Sequence, residues 1–368
     1  MTSTATARRA EFSKKMTEIL NFGALNLAMA IGYRTGLFDV MDTIDSPAPL
    51  AMIAGKAGLD ARYVREWLAV MVCGEIVALT ASDTGDDLFY LPREHGDLLT
   101  RRAGNSNLGV YTQEIPLLTT CAMDAVVKRF KTGEGVDYGS YPKFQAFMSQ
   151  LANAKHRQTL VDHFLPTVDE GRIIRELSAG IRVCDVGCGE GIALMLMAEA
   201  FPRSEFIGID IGTEVIQSAR SAARRQGFKN LTFVELDAAA LPRSADLAQS
   251  FDYITAFDAI HDQSRPLASL RGIYAILKPG GLFSMIDIAA SSHVQENRNH
   301  AMGAFLYTVS LLHCLPVGLV DGGMGLGMMW GRHKAVALLA EAGFEQIQVL
   351  EIPEDSFNFH FSCRRPRS

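Results

Sequence analysis

The 368-residue sequence is short of most features that would assign it to a special class. Basic residues are not in excess. Against 41 Asp and Glu stand 35 Lys and Arg, a formal charge of −6, so no bulk attraction to nucleic acid or anionic membrane is expected. No apolar run reaches the ~18 residues that a membrane-spanning helix needs. The opening "MTSTATARRAEFSKKM" lacks the apolar core of a secretory signal. Six cysteines, at 73, 121, 184, 188, 314 and 363, form neither a CxxC pair nor a disulfide-like framework, which suits reduced thiols and a cytoplasmic protein. Internal repeats and low-complexity segments are absent.

What is present is length enough for two cored domains, expected here at 1–165 and 166–368. The front half reads as mostly helical. Residues 12–41 carry apolar side chains at helical spacing, as one long helix or two. Two short amphipathic helices follow, separated by "AGLD", where Gly58 ends the first and Asp60 caps the second. A strand from Ile76 to Leu79 then pairs with Leu88 to Leu91 across "SDTGDD". Helix–turn–helix followed by a β-ribbon is a winged helix. Between Ala48 and Thr100, however, four basic residues face eight acidic ones. A DNA reader needs a positive face to meet phosphates, so a dimerisation or lid role is the stronger expectation, and no nucleic-acid partner is predicted.

From Arg182 strands and helices alternate: "IRVCDVG", "EFIGID", "LTFVEL", "FDYITAFD" and "LFSMIDI" are strands, with "FEQIQVLEI" and "FNFHFSC" closing the chain. This predicts an α/β, Rossmann-like, doubly wound sheet of seven strands, mainly parallel, with an antiparallel C-terminal hairpin. Ligands of such sheets bind beyond the carboxyl ends of the strands. The turn after the first of these strands holds Gly187, Gly189 and Gly191 behind Asp185. Its spacing fits neither the dinucleotide fingerprint nor the phosphate loop, and an acid there would repel a pyrophosphate. Asp185 suits a cationic ligand such as S-adenosylmethionine, whose amino group and sulfonium are positive. Asp210, with Ile211 beside it, is placed for the ribose hydroxyls, because a carboxylate accepts two hydrogen bonds well. Asp237, with Ala238, is placed for the adenine amino group, and Asp258 closes the fourth strand. Cys184 lies within a strand and Cys188 in the turn, without another Cys/His pair at zinc spacing nearby, so no metal is expected.

Four strand-end acids in order, then "LKPGG" ahead of a fifth strand, form a specific pattern. On "CDVGCGEG", "GIDI", "ELDA", "FDAIHD" and "LKPGGLF" the chain resembles the class I S-adenosylmethionine-dependent methyltransferases from about Ile181 to the C-terminus. With the winged-helix front, the whole chain resembles the two-domain small-molecule O-methyltransferases. The resemblance implies a front domain that dimerises and closes over a small-molecule acceptor, and an insertion at 293–332 that builds the acceptor pocket.

His261 lies three residues past Asp258, where a side chain titrating near neutrality suits proton removal from a hydroxyl. The resemblance gives the same residue as the base of the "HD" step, followed by Asp262. It departs at the next position, where Gln263 stands in place of the family's usual Trp, and no carboxylate that would orient His261 is identifiable. Asp262 itself suits either the site or a helix cap. A thiol acceptor ionises near pH 8.5 against about 10 for a phenol and needs mainly alignment and desolvation, so oxygen and sulfur acceptors both stay open. Phe305, Tyr307, Met324, Met328, Met329 and Trp330 are expected to line the pocket, with His313–Cys314 as its polar corner. Tyr111, Glu114, Tyr138 and Tyr141 are expected to cover it. The readings set behind methylation of a small molecule are an RNA methyltransferase and a DNA-binding regulator that senses S-adenosylmethionine.

Overall fold

The computed structural model describes residues 2–83, 85–353 and 355–367. Contacts divide the chain into two compact units, Met1–Leu117 and Leu118–Ser368.

The first unit opens with α1 (Thr2–Thr35) and α2 (Leu37–Asp42), the pair expected over 12–41. It continues through β1 (Ala48–Pro49), α3 (Leu50–Ala57), α4 (Ala61–Cys73), β2 (Ala78–Ala81), β3 (Asp87–Tyr90) and α5 (Arg93–Leu99). Gly58 ends α3 in the left-handed region, and Asp60 caps α4 by accepting from the backbone N–H groups of Arg62 and Tyr63. Val64, Trp67, Leu68 and Met71 recur at helical spacing along α4 and are buried. Trp67 donates its indole N–H to Ala28 O at 2.9 Å. A Cβ at Gly32 would stand 2.4 Å from the Trp67 ring, so only glycine permits this approach of α1 to α4. The ribbon starts two residues later than expected, Ala78–Ala81 in place of Ile76–Leu79, and pairs antiparallel with Asp87–Tyr90. Glu75, at φ +59°, turns the chain ahead of it. Thr84 of the expected turn lies outside the described residues. The short β1 adds a third strand to the ribbon.

The second unit begins within α6 (Glu114–Thr132) and runs through α7 (Pro142–Thr159) to α8 (Arg172–Ala179). The division lies well ahead of the expected 165/166 boundary because α7 packs on α9, a helix of the sheet layer. Then come β4 (Arg182–Val186), α9 (Ile192–Ala200), β5 (Glu205–Asp210), α10 (Thr213–Gln226), β6 (Leu231–Glu235), β7 (Phe251–Phe257), α11 (Pro266–Ile276) and β8 (Leu277–Ile288). The insertion supplies α12 (Gly303–Leu312) and α13 (Cys314–Gly318). The chain closes with α14 (Gly331–Glu341), β9 (Glu345–Ile352) and β10 (Asp355–Arg364).

The sheet has the order β6-β5-β4-β7-β8-β10-β9, parallel through β8, with β10 antiparallel to both β8 and β9. Its side chains alternate between two cores. Val183, Tyr253 and Leu282 face one, and Cys184, Val186, Ile254 and Phe283 face the other. Two-sided burial explains why these strands read as continuous apolar runs. β4, β5, β7 and β8 consequently present their carboxyl ends at one edge.

Candidate active site

The turn after β4 passes through Gly187, Gly189 and Gly191 at φ +77°, +51° and +75°, a left-handed backbone that side chains disfavour. Gly187 and Cys188 donate their N–H groups to Ile209 O at 2.8 and 3.1 Å. Asp210 braces the same turn: its Oδ2 accepts from Gly189 N at 2.9 Å and its Oδ1 from Gly212 N at 2.8 Å. Each of these oxygens has a second acceptor site, so the carboxylate can also receive a ligand diol.

Asp185 is buried and accepts a 2.7 Å hydrogen bond from the Thr255 hydroxyl. Burial pushes its carboxyl up to about 7, against the opposing pull of that bond. Among the described residues no basic side chain forms an ion pair with it. A buried carboxylate in that state is suited to a cationic group. A Cβ built on Gly189 would meet no protein atom within 4 Å, so a ligand can approach the turn there. On both counts the residues fit a ligand such as S-adenosylmethionine.

Further along the strand ends, Ile211 is exposed and Ala238 buried. Asp237 accepts from Ala239 N at 2.8 Å and pairs with Arg265. Asp258, itself at φ +48°, accepts from Asn358 Nδ2 at 2.7 Å, and burial pushes its carboxyl up to about 6.

His261 is buried just past β7. Its Nδ1 lies 2.8 Å from Oδ1 of Asp287, the penultimate residue of β8, which is fully buried. A carboxylate accepts, so Nδ1 carries the proton. The same oxygen receives Trp330 Nε1–H at 3.0 Å and its neighbour's amide, Ile288 N, at 2.8 Å. Burial alone would lower the imidazole, but the charges of Asp287 and Asp262 outweigh it and hold His261 well above its ordinary value.

Asp287 is the orienting carboxylate that no motif disclosed. Its one signal was position, an acid near the end of the fifth strand in "SMIDI", continuing the series 185, 210, 237 and 258. Asp262 does not cap the following helix, whose N-cap position belongs to Arg265. Its Oδ1 lies 3.4 Å from His261 Nε2.

The remaining candidates divide. His313 is buried, its Nδ1 3.8 Å from Asp262 Oδ2. Its ring lies 4.8 Å, centre to centre, from both Tyr141 and Phe144, and 5.9 Å from Tyr138. Tyr141 is fully buried and donates its hydroxyl to Leu312 O at 2.9 Å. Phe305 and Tyr307 are half-buried on α12, and the Tyr307 hydroxyl accepts from Asn297 Nδ2 at 2.9 Å. Met324 is exposed, whereas Met328 and Met329 are buried. Trp330 belongs to the core beside the sheet, where its indole fixes Asp287. Tyr111 and Glu114 belong to the first unit, and burial pushes the Glu114 carboxyl up to about 8.

Comparison with known proteins finds two family matches. Residues 177–343 match the family model described as a methyltransferase domain, and residues 23–101 match an Rv2258c-like winged HTH domain. Among curated proteins, the ubiquinone biosynthesis O-methyltransferase of Vibrio vulnificus is 34% identical over 144 residues, covering 39% of this chain and 56% of that protein. An uncharacterized methyltransferase of Bacillus subtilis, YcgJ, is 33% identical over 121 residues, covering 32% and 46%. The chain thus spans about half the length of the curated relatives it matches. Among solved structures, human N-acetylserotonin methyltransferase in complex with SAM superposes with a TM-score of 0.66 at 17% identity, over 96% of this chain and 97% of that one. The mitomycin 7-O-methyltransferase superposes with a TM-score of 0.68 at 18% identity, over 98% and 99%. The chain therefore carries a segment that matches a methyltransferase domain behind one that matches a winged helix-turn-helix domain, and it shares the fold of these solved methyltransferases.

Proposed function

We propose that the protein transfers a methyl group from S-adenosylmethionine to a hydroxyl or thiol of a small molecule, with His261 as the base. The observation that carries this reading is the buried 2.8 Å contact between His261 Nδ1 and Asp287 at the carboxyl ends of β7 and β8. These are the sheet ends that follow the glycine turn. The bound cofactor supplies an activated methyl group on a sulfonium.

The chain's own residues do the rest. Asp185 pairs with the cofactor's amino group, the turn at Gly187–Gly191 lets it approach the backbone, and Asp210 accepts from its ribose hydroxyls. Asp237 and Asp258 complete the series, beside Ile211 and Ala238. Asp287 holds the imidazole with its proton on Nδ1, leaving Nε2 to receive the acceptor's proton as the in-line displacement proceeds. Tyr138, Tyr141, Phe305, Tyr307 and His313 supply an aromatic environment for the acceptor.

The test is release of S-adenosylhomocysteine with matched panels of phenols and small thiols, alongside cofactor binding by calorimetry. His261→Ala is expected to abolish turnover of phenols while retaining cofactor affinity. Asp185→Asn is expected to lose cofactor affinity, because it removes the charge that faces the ammonium. An unchanged phenol rate in His261→Ala sinks the base assignment, and full cofactor affinity in Asp185→Asn sinks the cofactor assignment.

The same reading makes the first unit a homodimer surface. Phe12, Met16, Ile19 and Leu20 are exposed on α1, along with Phe22, Leu27 and Ile31. Charging two of them, as in Ile19→Glu/Leu20→Glu, should convert a dimer to a monomer in sedimentation. A wild-type chain that sediments as a monomer refutes this.

A further inference from the structure

Two dipeptides 52 positions apart in the sequence, His261–Asp262 and His313–Cys314, converge in the second unit. One ligand atom from each of His261, Asp262 and Cys314 lies within 4.8 Å of the others. His313 joins them, with its Nδ1 3.6 Å from Cys314 Sγ and 3.8 Å from Asp262 Oδ2. Asp262 Oδ1 stands 3.4 Å from His261 Nε2, yet it is buried and makes no hydrogen bond.

Tetrahedral zinc with bonds of about 2.0 Å to nitrogen or oxygen and about 2.3 Å to sulfur separates neighbouring ligand atoms by about 3.3–3.8 Å. The 3.4 Å separation of His261 Nε2 from Asp262 Oδ1 falls in that range, and the ligand atoms of His261, Asp262 and Cys314 already lie within 4.8 Å of one another before any ion is added. The geometry points to a divalent transition-metal site, Zn2+ by its ligand chemistry, formed by His261, Asp262 and Cys314, with the neighbouring His313 Nδ1 moving in as the fourth ligand when the ion binds.

Three further observations support it. The donor set is mixed nitrogen, oxygen and sulfur, which selects Zn2+ over Mg2+ or Ca2+. His261 Nδ1 is already bonded to Asp287, the outer carboxylate that metal-bound histidines use to fix ring and tautomer. Histidines and cysteine are buried, but the Asp262 side chain keeps 23% of its surface exposed, which leaves an entry route. Binding exchanges the Cys314 thiol proton and the His261 imidazolium proton for the ion. The thiolate and the Asp262 carboxylate then neutralise the ion's double charge, and the His261 Nδ1–H stays with Asp287.

The site goes beyond the methyl-transfer reading, and only its consequence rests on that reading. An ion on Nε2 takes the lone pair that would accept the acceptor's proton. The metal-loaded protein is therefore the inactive form and the metal-free protein the active one.

The test is titration of the chelator-treated protein with Co2+, read by absorption, followed by displacement with Zn2+. Expected are one equivalent of tetrahedral Co2+ with intense d–d bands and a thiolate-to-cobalt charge-transfer band. The charge-transfer band should be lost in Cys314→Ser, weakened in His313→Asn, and kept in Cys73→Ser/Cys121→Ser, which removes two accessible thiols remote in sequence from the cluster. Circular dichroism verifies that each variant is folded, and His313→Asn decides the matter if Cys314→Ser is not. Absence of the bands in the native protein, or their survival in Cys314→Ser, overturns the site.

Methyl transfer is assayed in parallel with chelator and with Zn2+. Zinc should reduce the native rate tenfold or more, and the ratio should approach one in Cys314→Ser. Cobalt bands together with a zinc-insensitive rate would keep the site and overturn the role of His261 as base.

Discussion

Asp287→Asn is the sharpest perturbation the structure offers. Asn keeps an oxygen for His261 Nδ1–H, Trp330 Nε1–H and Ile288 N–H to bond. It removes the negative charge that offsets the burial of His261. The imidazole then falls from well above its ordinary value toward or below about 6.5, and Nε2 becomes a weaker base. A positioned base contributes roughly 10²- to 10⁴-fold, so the plateau of kcat/KM for a phenolic acceptor, above the acid limb, should drop by up to about that factor, while at neutral pH the larger deprotonated fraction offsets part of the loss. Cofactor affinity should change little, because Asp185, Asp210 and the glycine turn are untouched.

The pH profile carries the decisive sign. Native His261 must lose its proton before it can accept one, so the native rate rises with pH up to its elevated value. In Asp287→Asn that acid limb moves to lower pH. Folding stability follows the same linkage: the native contribution of His261 is present below about 6.5 and lost as pH rises through the folded value, and the variant flattens this trend. S-adenosylhomocysteine release against pH and imidazole titration by 15N NMR measure the two effects independently. A variant with kcat/KM within about twofold of native and an unmoved acid limb would refute the reasoning.

Gly189→Ala separates the turn's ligand role from its structural one. With φ +51° and no protein atom near the added Cβ, the fold should lose only about 1–2 kcal/mol, whereas cofactor affinity should fall at least about tenfold. Calorimetry showing undiminished affinity would place the ligand elsewhere. His360, 1% exposed on β10 with Nε2 2.8 Å from Ser284 Oγ, is pulled down by burial to about 4. Between about 6.5 and 4 the unfolded chain binds a proton that the native state refuses, so stability is full above that window and falls by about 3 kcal/mol on acidification through it. Urea denaturation at pH 7 and pH 4 should show this difference between native protein and His360→Gln. Parallel losses in both would refute it.

Much of the fold was legible because its causes are short-range. The Asp60 cap, the left-handed Gly58, the helical spacing on α4 and the two-sided apolar strands each depend on a few neighbouring residues. The shifted ribbon, Ala78–Ala81 in place of Ile76–Leu79, is an error of the same local kind, since Glu75 at positive φ turns the chain without a glycine to announce it. Trp330 makes a contact of a different, long-range kind. An aromatic residue in an insertion suits a pocket as well as a core, and only packing brings its indole to Asp287.

The sequence by itself determined the alternating strands and helices, the glycine turn and the order of acids at the strand ends. These follow from periodicity and turn chemistry within a few residues. Tertiary structure alone decided that Asp287 orients His261, that Asp262 leaves the helix uncapped, and that His313 and Cys314 return to it across 52 positions. Those contacts are made by side chains on separate elements, and their spacing is set by the pairing of β7 with β8 and the packing of the inserted helices. Neither of these leaves a period in the chain.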